Sequence, residues 1–352
     1  MIGIIMGTRP HVPKVYSLVK ALRERNLPYV ILHANQHYDY PMQKLLFEQL
    51  GYSADVVMDK YSIGAAIDWA MAMIKSHDIR LLFTQGDSAP ALVGAIAAVY
   101  SDIGLAHMEA GLRAFDKEMY EERNRLMVDD ASHYLFTYTS KHAEYLSSLP
   151  HLRGRAFNVG NPTIDVLKDF ADRIIQLHLR DYLFITLHRK ELTDSKARLI
   201  QVLRALRRCA EELDLDLIFP MHPRTSKALT RFDVSAQELL GSRATLLPPV
   251  GFFESMSYQR YATVVVTDSG CIQEEACIFN VPCVTIRDNT ERPETIEVGG
   301  NALSGFSEER IVHLVVEAAG KNRKWVHPYG APGVGGRAIN IVQENFLDFR
   351  SY

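Results

Sequence analysis

Residues 263–276 have the sequence TVVVTDSGCIQEEA, which determines the fold class of the chain. The β-branched run 263–267 is continuous rather than alternating, and this pattern is typical of a parallel strand buried on both faces. The turn Asp268-Ser269-Gly270 follows, and a helical pattern begins immediately after it. A strand followed directly by a helix is the repeating unit of α/β domains with a parallel sheet.

The same alternation of strand and helix extends over the rest of the chain in two series. The first series has predicted strands at 2–6, 29–33, 81–84, 105–108 and 134–138. The second series has predicted strands at 183–186, 215–219, 244–247, 263–267 and 283–286. We predict a helix over 163–180 that leads from one series into the other.

Two domains are expected because 352 residues are too many for a single ordinary core. The predicted fold is α/β, with Rossmann-like domains at 1–170 and 171–336 that face a central cleft, and a helix at 337–352 that packs back on the first domain. Ligands of open parallel sheets bind at the carboxyl ends of the strands. The residues that directly follow each strand are therefore the candidates for function.

Composition excludes several classes of protein. The net charge of −3 gives no basic surface for nucleic acid or for an anionic membrane. No apolar run is long enough for a signal peptide or a membrane span, so the prediction is a cytoplasmic protein without a membrane partner. The four cysteines include no CxxC pair, which favours free thiols and no metal site.

In the first series, charged residues follow the strands. Arg9 and Lys14 lie at the start of a helix after a glycine turn, where an anion could bind. Asp87 and Glu109 each come just after a strand, and Glu121 opens a later helix. Carboxylates that converge would raise each other's pKa and suit acid–base chemistry, although any one of them alone is more often structural.

In the second series, His188 follows a strand, and Ser269 with Gly270 begins the helix after 263–267. The first amides of that helix could hold a diphosphate, and Glu275 could reach ribose hydroxyls. A lone histidine is more often a hydrogen-bonded structural residue, but several polar clusters share this topological position. No GxGxxG fingerprint is present, so a dinucleotide cofactor is not expected.

Taken together, these blocks resemble the non-hydrolysing UDP-N-acetylglucosamine 2-epimerases over nearly the whole chain. The blocks are GTRP (7–10), QH (36–37), QGDS (85–88), HMEAGLR (107–113), EERNR (121–125), GNPTIDVL (160–167), HRKE (188–191), TDSGCIQEEA (267–276) and TERPETIEVG (290–299). The resemblance implies a glycosyltransferase-B-type fold, a homodimer and no cofactor. It also implies that UDP-N-acetylglucosamine is converted to UDP-N-acetylmannosamine, a precursor of cell-surface polysaccharides.

The resemblance also assigns roles to residues of this chain. The matching catalytic carboxylates are Asp87, Glu109 and Glu121, and His188 matches a histidine near the diphosphate. The matching substrate-binding positions are Arg9, Lys14, Ser269, Gly270, Cys271, Glu275 and Arg292. The implied mechanism is elimination of UDP to a glycal and its re-addition. The UDP-binding domain is then the second one.

The chain departs from the family pattern at several positions. Cys271 stands where a second glycine is usual, and His11 stands where glutamate is usual. Residues 36–44 match only at Gln36-His37, so the resemblance gives no support for activation by a second substrate molecule. These departures leave every presumed catalytic group in place.

Four other functions remain open. A hydrolysing epimerase would release N-acetylmannosamine and UDP, and a related epimerase would act on a UDP-diacetamido-uronic acid. A retaining glycosyltransferase would share the fold but would not need three carboxylates. A UDP-sugar-binding regulatory protein would have no use for acids beside a dianionic ligand.

Overall fold

The computed structural model describes residues 1–36 and 40–345, with the side chains of 40–42 excepted. The chain forms two compact units. The first comprises Met1–Asp169 and the C-terminal segment from Tyr329, and the second comprises Phe170–Pro328. The chain therefore returns to the first unit at Tyr329 rather than at residue 337. His37, one residue of the QH block, lies outside the described part.

The first unit is built on a parallel sheet of seven strands. The strands are β1 Ile2–Met6, β2 Tyr29–His33, β3 Val56–Val57, β4 Leu81–Gln85, β5 Gly104–Met108, β6 Tyr134–Thr137 and β7 Arg155–Asn158. Their order is β3-β2-β1-β4-β5-β6-β7, so the direction of winding reverses between β1 and β4. Ligands of such sheets bind beyond the carboxyl ends of the strands at this switch point.

Among residues 1–36 and 40–169, seven helices belong to the first unit. They are α1 His11–Glu24, α2 Tyr40–Leu50, α3 Ile63–Ser76, α4 Ala89–Tyr100, α5 Tyr120–Ala131, α6 Ser140–Ser147 and α7 Thr163–Asp169. Buried apolar residues of β1, β4 and β5 pack against α3 and α4, as Ile5, Leu82 and Ala95 illustrate. This packing explains why the strands are continuous apolar runs.

The second unit has a parallel sheet of six strands. The strands are β8 Tyr182–Thr186, β9 Asp216–Pro220, β10 Ala244–Leu247, β11 Val264–Thr267, β12 Cys283–Thr285 and β13 Asn301–Leu303. The helices are α8 Lys190–Thr193, α9 Lys196–Leu213, α10 Pro223–Phe232, α11 Ala236–Leu240, α12 Phe252–Arg260, α13 Gly270–Ile278, α14 Pro293–Glu297 and α15 Glu308–Ala319. The strand order β10-β9-β8-β11-β12-β13 places a second switch point between β8 and β11.

The helix predicted over 163–180 is wrong in length. Helix α7 ends at Asp169, and only a short 3-10 turn follows at Ala171–Arg173. The guanidinium of Arg173 lies 4.0 Å from the ring centroid of Phe253, and the backbone amide of Ile175 donates to Ser257 Oγ. Contacts with α12 thus take the place of the backbone hydrogen bonds that would continue the helix. Such tertiary contacts cannot be read from the local sequence pattern.

The last helix, α16 Val334–Asn345, packs on α1 of the first unit. Its first turn is held by side chains from two other helices. The carboxylate of Asp165 accepts from the amides of Gly333 and Val334, and Ser17 Oγ accepts from the amide of Gly335 at 2.6 Å. These acceptors satisfy amides that have no partner within the helix, so α16 begins before residue 337. Residues 346–352 lie outside the described part.

Within residues 1–36 and 40–345, no helix has both the length and the apolar character that a membrane span requires.

The packing of α16 on α1 leads to a stability prediction at two adjacent glycines. A Cβ on Gly335 would lie 2.1 Å from the carbonyl oxygen of Ser17, whereas a Cβ on Gly336 would meet only the end of the Arg25 side chain at 3.4 Å. We expect Gly335→Ala to destabilise the protein by about 1–3 kcal/mol through overpacking. Gly336→Ala is expected to be neutral or to stabilise by up to about 1 kcal/mol, because alanine favours the helix. Urea unfolding measures the free energy of unfolding of both variants. Equal changes in the two variants would contradict the close packing of Gly335 against Ser17.

Candidate functional site

Two carboxylates at the carboxyl ends of β4 and β5 are joined by one buried cation. The Nη2 atom of Arg125, on α5, donates to Oδ2 of Asp87 and, at 3.0 Å, to Oε1 of Glu109. The side chains of Arg125 and Glu109 are 1% and 5% exposed, so this pair is shielded from water, whereas the Asp87 side chain is 26% exposed. The two acids therefore face a shared guanidinium rather than each other.

The second oxygen of Glu109 is surrounded by donors. Lys14 Nζ lies 2.6 Å from Oε2, Tyr138 Oη lies 2.9 Å from it, and Gln85 Nε2 lies 3.0 Å from it. Glu109 also has a φ of 76°, in the left-handed region that side chains other than glycine rarely adopt. Such strain persists only where the surroundings fix the conformation, and it clusters at functional sites.

The turn that carries Asp87 is held by a second buried network. His107 Nε2 lies 2.8 Å from the carbonyl oxygen of Gly86, and Nδ1 lies 2.7 Å from Asp129 Oδ1. Arg113 donates to the other oxygen of Asp129 at 2.6 Å. Burial tends to raise the pKa of Asp129, but the contacts with His107 and Arg113 outweigh it, so the pKa lies below its usual value. The network fixes the position of Asp87 relative to β5.

The two remaining candidate residues of the first unit, Arg9 and Glu121, are more exposed to solvent than Glu109. Arg9 is half-buried at the start of α1, and Glu121 is exposed in the first turn of α5. Arg125 and Tyr138 are site residues that the sequence analysis missed. Arg125 stands inside the EERNR block, one turn after Glu121, and this position was the available signal.

His11 lies beside Glu109 as a neutral imidazole. Burial lowers the pKa of His11 from 6.5 to about 3, with Lys14 acting in the same direction and Glu109 opposing it. A Cβ on Gly86 would lie 3.7 Å from both His11 Nε2 and Glu109 Oε2, so the two groups border the same space. The departure at position 11 therefore places an uncharged group next to the charged cluster.

In the second unit, Asp268 organises the loop after β8. Its Oδ2 atom accepts from the backbone amides of His188 and Arg189, each at 2.7 Å, and Oδ1 lies 3.1 Å from His188 Nδ1. Burial tends to raise the pKa of Asp268, but the hydrogen bond and charge of His188 and the two amides lower it below its usual value. The ring of His188 is thereby held at the carboxyl end of β8, 4.9 Å from the ring of His222.

Helix α13 begins at the second switch point, with Ser269 as N-cap and Gly270 as first residue. Its first amides have no partner within the helix by geometry, and a helix N-terminus attracts anions. Arg292 is buried nearby, and its Nε atom donates to Glu274 Oε1 on α13. Cys271 is half-buried at the second position of this helix.

A buried acid, Glu291, lies at the same helix start. Its oxygens are 2.9 Å from Arg287 Nη1 and 3.3 Å from Arg189 Nη2. Burial tends to raise the pKa of Glu291, but the guanidiniums of Arg287, Arg292 and Arg189 hold it well below its usual range. Glu291 stands in the TERPETIEVG block but was not among the site residues predicted from the sequence.

Glu275, on the same helix, is 9% exposed and accepts from Gln259 Nε2 at 2.8 Å. This contact holds the Glu275 carboxylate in place on α13. In the described part of the chain all four cysteines are free thiols, and no group of three or more His, Cys, Asp or Glu residues could hold a metal ion.

The fold and these two sites define a class of protein: the two-domain α/β proteins of the glycosyltransferase-B type. A spinosyn rhamnosyltransferase, SpnG, has the same fold at a TM-score of 0.56 with 11% identity over 98% of this chain and 96% of its own. The predicted fold class is thereby confirmed.

The chain belongs to the UDP-N-acetylglucosamine 2-epimerase family, whose sequence profile matches residues 20–343. It is 34% identical to the UDP-N-acetylglucosamine 2-epimerase of Methanocaldococcus jannaschii, over 97% of this chain and 98% of that protein. A crystal structure of the M. jannaschii protein with UDP-GlcNAc and UDP has a TM-score of 0.87, with 34% identity over 97% of this chain and 99% of that one. A Pseudomonas aeruginosa UDP-2,3-diacetamido-2,3-dideoxy-D-glucuronate 2-epimerase is 32% identical, over 97% of both chains. The resemblance to the UDP-N-acetylglucosamine 2-epimerase family is confirmed.

The buried His11 predicts a pH dependence of stability. The pKa of His11 is lowered from 6.5 to about 3 in the folded protein. Below the ordinary value, the unfolded chain binds a proton that the folded chain does not, so stability falls as the pH decreases toward the folded value. At about pH 5 this group should cost about 2 kcal/mol relative to neutral pH.

Urea unfolding at neutral pH and at about pH 5 tests this expectation. His11→Asn should lose less stability on acidification than the unsubstituted protein. His313→Asn is the matched control, because His313 is 76% exposed on α15. If acidification destabilises all three proteins equally, His11 is not the cause.

Proposed function

We propose that this protein is a UDP-N-acetylglucosamine 2-epimerase that interconverts UDP-N-acetylglucosamine and UDP-N-acetylmannosamine. The observation that carries the proposal is the Asp87–Arg125–Glu109 cluster at the carboxyl ends of β4 and β5. It is supported by 34% identity over nearly the full length to an M. jannaschii protein of that name.

Inversion at carbon 2 of the sugar needs a proton to leave from one face and another to arrive on the opposite face. The carbon 2 proton is weakly acidic, so its removal is coupled to cleavage of the bond between carbon 1 and UDP. The electron pair of the C–H bond then forms the double bond of a glycal, and UDP leaves with the electrons of the C–O bond. Asp87, Glu109 and Glu121 are the proposed acid–base groups.

The second domain supplies groups for the departing diphosphate. His188 and Arg292 would stabilise the charge that develops on UDP, and the first amides of α13 would hold its phosphates. Ser269, Gly270 and Cys271 form that helix start, and Glu275 would bind the ribose hydroxyls. Arg9 and Lys14 would bind the substrate from the first domain.

We further propose that UDP re-adds to the glycal, so that the reaction does not end in hydrolysis. Support comes from the GTRP block at 7–10, which is one of the blocks through which the sequence resembles the non-hydrolysing branch. Re-addition forms the bond from UDP to carbon 1 while a proton is delivered to carbon 2. The pathway moves protons and no hydride, so it requires no nicotinamide.

Proton NMR with UDP-N-acetylglucosamine in heavy water tests the proposal. UDP-N-acetylmannosamine with deuterium at carbon 2 is the expected product. Free N-acetylmannosamine and UDP would instead indicate the hydrolysing reaction. No change with this substrate, together with turnover of a UDP-diacetamido-uronic acid, would assign the activity of the Pseudomonas relative.

Asp87→Asn and Glu109→Gln should each lower kcat for epimerisation by about a hundredfold or more, because a positioned acid or base contributes that much. Binding of UDP should change little, since neither residue is assigned to the diphosphate. Glu118→Gln is the matched control, because this acid is exposed and pairs only loosely with Arg123 at 3.7 Å. A normal kcat in Asp87→Asn would remove this residue from the mechanism.

We also propose a homodimer that forms through α4 and α5. These adjacent helices expose Val99, Tyr100 and Met127, which are 54%, 75% and 47% accessible. Sedimentation should give a dimer for the unsubstituted protein and a monomer for Tyr100→Arg, because the arginine would place a charge in an apolar contact. Leu179→Arg, at a residue of the second unit that is 92% exposed, should remain a dimer. A dimeric Tyr100→Arg variant would locate the interface elsewhere.

A further inference from the structure

A carboxylate side chain of the protein itself, that of Glu291, lies at the start of α13. Glu291 is 5% exposed, and its Oε1 atom would lie 2.6 Å from a Cβ placed on Gly270, the first residue of the helix. A side chain at position 270 would displace the Glu291 carboxylate, because the carboxylate occupies that space. The acid is therefore directed into the region that the helix amides make attractive to negative charge.

Three guanidiniums surround this carboxylate. Arg287 and Arg189 are 2.9 Å and 3.3 Å from its oxygens, and Cζ of Arg292 lies 3.8 Å from the same Cβ position on Gly270. The side chain of Arg287 is 5% exposed, whereas that of Arg189 is 20% exposed and can be approached from solvent. Cationic groups and an anion of the protein thus share one helix start.

A diphosphate bound at the start of α13 would experience both attraction and repulsion. Arg189, Arg292 and the helix amides attract it, whereas the carboxylate of Glu291 repels it and competes for the same cations. Two like charges at about 4 Å repel each other several times more strongly near a protein surface than in water. The repulsion is thus large enough to change affinity by about tenfold, since 1.4 kcal/mol corresponds to that factor.

We propose that Glu291 is a built-in counter-ion of the diphosphate site, which weakens the binding of UDP and so permits its release. This inference rests on the proposed function, because it assumes that UDP binds at the start of α13. The same carboxylate stabilises the unliganded protein, since buried guanidiniums without a partner would be costly. Glu291 therefore lowers the affinity for UDP while it stabilises the unliganded protein.

Calorimetric titration with UDP tests the proposal on the full-length protein. Glu291→Gln should bind UDP about tenfold more tightly than the unsubstituted protein, because the repulsion is lost while the cations remain. Glu297→Gln removes the same charge from an exposed position of α14 and should leave the affinity unchanged. Damage to the site would weaken binding, so a purely structural role predicts the opposite direction.

Uridine, measured by competition with UDP, identifies the part of the ligand that is affected. Glu291→Gln should leave uridine binding unchanged, because uridine has no phosphate. Equal tightening of uridine and UDP would overturn the proposal, as would unchanged or weaker UDP binding in a folded Glu291→Gln variant.

Thermal unfolding with and without UDP gives a second readout. Glu291→Gln should have a lower Tm than the unsubstituted protein without ligand. At the same excess of UDP it should show a larger increase in Tm, because the stabilisation by a ligand grows with the logarithm of its concentration divided by Kd. If Glu291→Gln does not fold, Glu291→Asp retains the charge but withdraws it from Gly270, and it should tighten UDP binding to a smaller extent. Unchanged affinity in that variant would count against the proposal.

The outcomes separate this inference from the proposed function. UDP binding without any gain in Glu291→Gln overturns the role of Glu291 alone. If UDP binds neither to the unsubstituted protein nor to Glu291→Gln and Glu297→Gln, the proposed function is overturned together with the inference.

Discussion

A charge that is removed from water needs a partner, and this constraint shapes both candidate sites. Asp87 and Glu109 are held beside Arg125, which is almost completely buried, and Asp268 receives two backbone amides and faces His188. Breaking the Glu109–Arg125 pair would cost about 3–5 kcal/mol, because these side chains are 5% and 1% exposed and one charge would remain buried alone. The charged groups at the strand ends are therefore held in position by their partners.

The two units share one sheet topology but place different chemical groups at the ends of their strands. Each has a parallel sheet whose winding reverses next to its first strand, β1 in one and β8 in the other. At the first reversal the chain places carboxylates with their cations, which suits the movement of protons. At the second it places a helix N-terminus with arginines and a histidine, which suits the holding of phosphate.

Much of the fold could be predicted from the sequence because the central strands are buried on both faces and are therefore continuous apolar runs. The strands that were missed are edge strands of the two sheets: β3 has two residues, β7 is partly exposed, and β13 has three residues. The residues Asp87, Glu109 and His188 could be selected because position after a strand is a local property. Their partners could not, since Arg125 contacts Asp87 across 38 positions of sequence and Glu291 reaches Gly270 from a different segment. Tertiary proximity decides such pairs: the EERNR block marks Arg125 but does not show which acids it contacts.

The return of α16 to α1 has a consequence for how the chain is made. Ser17 contacts the amide of Gly335 across 318 positions, so the first unit includes both an early and a late part of the chain. During synthesis on a ribosome, the whole of Phe170–Pro328 emerges before α16 does. Domains generally fold as units while the chain elongates. The unit that is second in sequence can thus be complete first, and the nascent first unit must wait, with the surface of α1 uncovered, until the last helix arrives.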